Sequence, residues 1–88
     1  MIIMNDLLLS VTTVQADLSW ENKAENFKKM DDMLNQVKNT DVIVLPEMFT
    51  TAFSMNPAAF AENLFGDTFQ WMTQKAEQLD ASITGSFI

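Results

Sequence analysis

The chain has 88 residues, 48% of them hydrophobic, with twelve acidic side chains against five lysines and a formal charge of −7. A chain of this size buries only ~60–65% of the surface it exposes when unfolded, so it suits one small domain with a thin core, and its acidity disfavours a phosphate backbone as partner. Cysteine, histidine and tyrosine are absent, which removes disulfides, thiolate nucleophiles and the commonest acid–base group, leaving carboxylates, lysines and hydroxyls.

Residues 1–11, "MIIMNDLLLSV", have neither a basic leading segment nor a small-residue cleavage site, and no apolar run nears the ~20 residues that span a bilayer. A soluble cytoplasmic protein is expected. From Leu7 to Val14, "LLLSVTTV" reads as a strand covered on most of both faces, followed by a turn from Gln15 to Ser19. Between Trp20 and Lys38, apolar residues at Trp20, Ala24, Phe27, Met30, Leu34 and Val37 gather on one helical face. Ser19 is the expected N-cap, Glu21 and Lys38 suit the helix dipole at its two ends, and Asn39 can close it in a left-handed conformation.

"DVIVL", residues 41–45, reads as a second strand buried on both faces, ended by Pro46, with Glu47 just past its carboxyl end. Asn56 and Pro57 signal a short helical turn through "AAFAEN". Asp67 with Gln70 resembles a capping box, and Phe69, Met72, Ala76 and Leu79 mark the apolar face of a helix ending near Asp80. "ASITGSFI", residues 81–88, reads as a third strand.

This order, βαβαβ, implies an α/β fold with parallel neighbouring strands and right-handed crossovers. Apolar strands want covering on both faces, two full helices cannot supply that, and a third strand at residue 88 leaves an unpaired edge. A single domain over 1–88, incomplete by itself, is therefore expected. Open parallel sheets bind ligands outside the carboxyl ends of their strands, which is where Glu47 falls. The other chemistry-bearing patterns are bland: Asp31 and Asp32 point about 100° apart on a helix and form no metal pair, the methionines suit core filling, and Ser86 has no histidine to activate it.

"VIVLPEMFTTAFSMNP" resembles the segment of the nitrilase superfamily, the carbon–nitrogen hydrolases, that contains their catalytic glutamate, and is most similar to the omega-amidase branch. Upstream, "QADLSWENKAENF" resembles the family's first strand-to-helix junction through Gln15, Trp20, Asn26 and Phe27. Downstream, "WMTQKAEQLDASITGSF" resembles its second helix and third strand through Trp71, Met72, Ala76, Gly85 and Ser86. The likeness covers nearly all of the chain.

The resemblance implies the N-terminal βαβαβ part of an αββα sandwich and a Glu–Lys–Cys hydrolysis of the carbon–nitrogen bond in small ω-amides such as 2-oxoglutaramate. In it, Glu47 is the catalytic general base, expected to be partly buried. Phe49, Thr51 and Phe53, with Thr50, are candidates to line the substrate pocket. The family's lysine and cysteine fall beyond Ile88. Lys23, Lys28, Lys29, Lys38 and Lys75 do not match that lysine and read as solvated helix-face residues, so the 88 residues alone are expected to be inactive. Ala52 stands where many members have glycine, which strains the loop if its backbone needs a positive φ. No cofactor or metal is implied, and a small-molecule amide and a homo-oligomer are the expected partners. The alternative is a non-catalytic module that associates through its third-strand edge.

Overall fold

The computed structural model describes residues 8–88, so Leu7, the expected start of the first strand, lies outside the described residues. The elements are β1 (Val11–Thr13), α1 (Lys23–Leu34), β2 (Val42–Val44), the short α2 (Pro57–Phe60), α3 (Asp67–Leu79) and β3 (Ser82–Thr84). The three strands form one sheet in the order β1-β2-β3, all parallel, with Val11 level with Val42 and Val42 level with Ser82.

Parallel neighbours need crossovers, and crossovers of one hand running in one direction put both connecting helices on the same face. The core follows from that. Ile43 and Ile83 share a register level on the covered face, where Phe27, Met30 and Leu34 of α1 meet Trp71, Met72 and Leu79 of α3, with Val14, Leu45 and Phe49 completing the cluster. The expectation of strands buried on both faces is corrected here. Val11, Thr13, Ser82 and Thr84 are exposed and Val42 and Val44 half-buried, so the opposite face is a mixed valine and hydroxyl surface.

Both ends of α1 lie further in than expected, by three residues at the start and four at the finish. Asn22, not Ser19, is the N-cap: its side-chain oxygen accepts from the Glu25 N–H at 3.1 Å, while its amide donates to the Glu25 carboxylate at 3.2 Å. Glu21 has φ 53°, which ends the helical path before Trp20 can join it. At the far end Asn35 caps the helix, and the left-handed Asn39 (φ 54°) turns the chain into β2 rather than closing the helix.

Helix α3 departs from the expected capping box as well. Gly66 is its N-cap and offers no side chain, so the first-turn amide of Thr68 is met from six residues upstream by Glu62, whose Oε1 accepts it at 2.8 Å. The same carboxylate accepts the Thr68 hydroxyl and pairs with Lys23 at 2.7 Å. A Cβ on Gly66 would lie 3.0 Å from Glu62 Oε1, so glycine makes room for this cap. Lys23 also donates to the Phe60 carbonyl at 2.6 Å, so it ties the start of α1 to the end of α2 and, through Glu62, to the start of α3. A second tie runs through Asp31, which accepts from Trp71 Nε1 and Lys75 Nζ, each at 2.8 Å. Lys23 and Lys75 are thus cross-braces between helices, not merely solvated face residues.

Burial of the Glu62 carboxylate, only 12% exposed, raises its pKa, but the hydrogen bonds from Lys23 and Thr68 and the Lys23 charge outweigh this and leave it below the ordinary value of 4.5. A depressed carboxylate stabilises the fold above its unfolded value and loses that contribution as the pH falls through its folded value. Glu62→Gln is expected to cost about 1 kcal/mol at pH 7, and the difference from the unsubstituted chain should shrink once the pH drops below the unfolded value and vanish below the folded one. Urea unfolding from pH 7 down to pH 3 checks it.

Candidate active site

The site is built where β2 and β3 finish. Beyond Val44 the ladder continues for one step, with the Leu45 N–H donating to the Thr84 carbonyl at 2.8 Å, and then stops because Pro46 has no N–H to give. Glu47 follows and opens a turn. Met48 takes φ 47°, the amides of Thr51 and Ala52 both return to the Met48 carbonyl at 3.2 and 2.8 Å, and Ala52 is left-handed at φ 59°. The positive φ anticipated at Ala52 is present, and a residue with a Cβ holds it at a cost of about 1 kcal/mol.

Three anchors fix this turn. From β3's end, Ser86 accepts the Met48 N–H on its hydroxyl at 2.8 Å and the Phe49 N–H on its carbonyl at 3.2 Å. From α1, the fully buried Asn26 donates to the Thr50 carbonyl at 2.8 Å and makes 2.7 Å bonds to both the N–H and the carbonyl of Ser19. From the loop before α1, the Glu21 N–H donates to the Thr51 carbonyl at 2.8 Å, and the Glu21 carboxylate accepts the Ser54 hydroxyl at 2.6 Å. The loops after β1 and β2 and the tail of β3 are therefore one bonded unit.

Gly85 lets the layers meet this closely. A Cβ there would stand 3.0 Å from the Leu45 Cβ and 3.2 Å from the Phe49 ring.

The five candidate site residues are placed differently. Glu47 is exposed, which corrects the expected partial burial, and it lies three residues past the end of β2. None of the ion pairs among the described residues involves it. Phe49 is 0% exposed and lies inside an aromatic cluster with Phe27, Trp71 and Phe87, at centroid distances of 6.4, 5.5 and 6.4 Å, so it supports the turn from beneath and has no surface to offer a ligand. Thr51 is also buried, its hydroxyl donating to the Ala52 carbonyl at 2.9 Å. Phe53 alone of the three is open, at 67% exposure. Thr50 is fully buried and its hydroxyl has no partner among the described residues.

Two surface hollows among the described residues lie elsewhere, one lined by Asp41, Glu77 and Asp80, the other by Gln15, Lys29 and Asp32, and neither includes Glu47. No group of acidic side chains among the described residues is arranged to hold a metal ion. Sequence reasoning matched Asn26 and Ser86 only as motif letters. An asparagine on the apolar side of a helix and a glycine–serine pair after a strand were the signals that they bond to the turn.

With this geometry in view, the comparisons decide the family. The carbon–nitrogen hydrolase family model matches residues 10–88. The chain belongs to the carbon–nitrogen hydrolase family. It is 42% identical over 78 residues to the omega-amidase YafV of Escherichia coli K12, and 40% identical over 80 residues to that of Yersinia enterocolitica. Each match covers 89% of this chain and 30% of the relative, so the chain spans about a third of their length. The crystal structure of XC1258 from Xanthomonas campestris, a CN-hydrolase superfamily protein with an arsenic adduct in its active site, superposes with a TM-score of 0.84 at 34% identity, covering 90% of this chain and 30% of that one. The fold is the N-terminal βαβαβ portion of a nitrilase-like αββα sandwich.

Two substitutions probe the turn. Asn26→Ala removes the three hydrogen bonds of a buried side chain and strands the Ser19 and Thr50 backbone groups, and is expected to lower unfolding free energy by about 3 kcal/mol. Ala52→Gly relieves the left-handed strain and is expected to raise it, by less than about 1 kcal/mol once glycine's unfolded-state freedom is counted. Chemical denaturation monitored by tryptophan fluorescence checks both.

Proposed function

We propose that this chain carries the proton acceptor of an omega-amidase-like hydrolase, and that Glu47 is that group. The observation that supports it best is the place of Glu47, at the carboxyl end of a central parallel strand on a turn anchored from both neighbouring strands' loops, in a chain of the carbon–nitrogen hydrolase family. A thiol of pKa ~8.5 is mostly protonated at neutral pH, so a cysteine nucleophile needs such a base.

In the whole protein, the Glu47 carboxylate takes the thiol proton and the thiolate attacks the amide carbonyl. A lysine stabilises the tetrahedral oxyanion. Collapse expels ammonia, protonated at Glu47's expense, and leaves a thioester. Glu47 then takes a proton from water, whose attack releases the acid and restores the thiol. The substrates are small ω-amides such as 2-oxoglutaramate or 2-oxosuccinamate. The 88 residues contain no cysteine, and Lys23, Lys29 and Lys75 are each held in an ion pair with Glu62, Glu25 and Asp31. Alone, the chain lacks the nucleophile.

The test is ammonia release from both amides. The 88-residue chain is expected to release none. A chain joining these residues to the part of the Escherichia coli relative that they do not cover is expected to be active, and Glu47→Gln in it to lose at least about a hundredfold. Full activity of that variant would overturn the assignment.

A non-catalytic module that associates through β3 is supported by one observation, the position of β3 at the sheet edge. It would give a defined oligomer by light scattering, weakened by Thr84→Lys, whose side chain lies on the open face, whereas Ile83 packs on the core.

A further inference from the structure

Pro46 interrupts the β2–β3 ladder one residue before Glu47, and Ser86 restores it one residue after. Leu45 is bonded to Thr84, and Met48 and Phe49 are both bonded to Ser86, so Glu47 is suspended between two anchor points. The two bonds to Ser86 differ in kind. Phe49 bonds to the backbone carbonyl, which any residue at 86 would supply, whereas Met48 bonds to the hydroxyl.

Met48 is one of the two left-handed residues of the turn, at φ 47°, a conformation that costs a residue with a Cβ about 1 kcal/mol and persists only where surrounding bonds enforce it. Without the hydroxyl, the Met48 N–H is free to rotate with its peptide, and the peptide it belongs to is the one that joins it to Glu47. Ser86 is exposed and bonds to the residue that follows Glu47, and the missing Cβ of Gly85 lets its strand end approach Leu45 and Phe49 closely enough for that bond.

We propose that Ser86 is a positioning residue for Glu47, its hydroxyl accepting the Met48 N–H and so holding the turn that aims the carboxylate. This rests on the assignment of Glu47 as the proton acceptor. The role is distinct from nucleophilic chemistry at Ser86, whose oxygen acts here only as an acceptor for a backbone amide. A misplacement of a catalytic group by about 1 Å costs up to about a hundredfold in rate, while substrate affinity need not change.

The experiment has two arms. In the 88-residue chain, amide hydrogen exchange by NMR is expected to show Met48 losing about tenfold in protection in Ser86→Ala, with Leu45 and Phe49 unchanged. Ser86→Thr should keep the protection and Ser86→Val lose it, a pair that differs only in the hydroxyl and serves if the alanine variant fails to fold. Unchanged Met48 protection in both Ser86→Ala and Ser86→Val overturns the proposal. In the joined chain described above, Ser86→Ala and Ser86→Val are expected to lower kcat at least about tenfold with KM within about twofold, and Ser86→Thr to restore it. An inactive Glu47→Gln beside an unimpaired Ser86→Ala overturns the positioning role alone. A fully active Glu47→Gln instead overturns the assignment of Glu47, and the role of Ser86 with it.

Discussion

One-sided packing governs this structure. Because β1, β2 and β3 are parallel and in chain order, both long helices are carried to the same side of the sheet, and every large buried side chain collects between them and Ile43. The same geometry gathers the carboxyl ends of all three strands at one rim, where the loops they lead into can bond to one another. Asn26, Glu21 and Ser86 then convert that proximity into a fixed turn under Glu47. The core therefore holds the site's floor: Phe49 is two residues from Glu47 and lies fully inside the aromatic cluster.

Much of the architecture could be read from residue patterns, because strands of valine and isoleucine and helices with a three-and-four apolar spacing announce themselves locally. The order of elements, the short helix at Asn56-Pro57 and the end of α3 near Asp80 all follow from such patterns. What escaped was contributed from far along the chain. The cap of α3 comes from Glu62, outside any capping-box spacing, and a three-residue shift at the start of α1 depends on the left-handed Glu21. Trp71, not Phe69, turns inward because Phe27 and Phe49 surround it at 5.4 and 5.5 Å, while Phe69 stacks edge-on against Phe65 at the surface.

The same division holds at the site. Glu47 stood out because a carboxylate after a buried strand and a proline is unusual, and the motif around it is specific. The aromatic and hydroxyl residues that follow looked alike in sequence, yet Phe49 is buried and Phe53 open, a distinction set by the turn's left-handed residues at Met48 and Ala52. Alternation along the chain cannot express that, since a residue with positive φ reverses the side on which its successors fall.

The uncovered face has its own significance for how a longer relative is made. This portion is N-terminal in the family fold, so it leaves the ribosome before any second layer exists to shield it. A sheet surface of pure valine and isoleucine would then be sticky in water. Thr13, Ser82 and Thr84 on the outer strands set hydroxyls beside Val42 and Val44, which hydrate readily and leave Val11 as the one exposed valine of that surface.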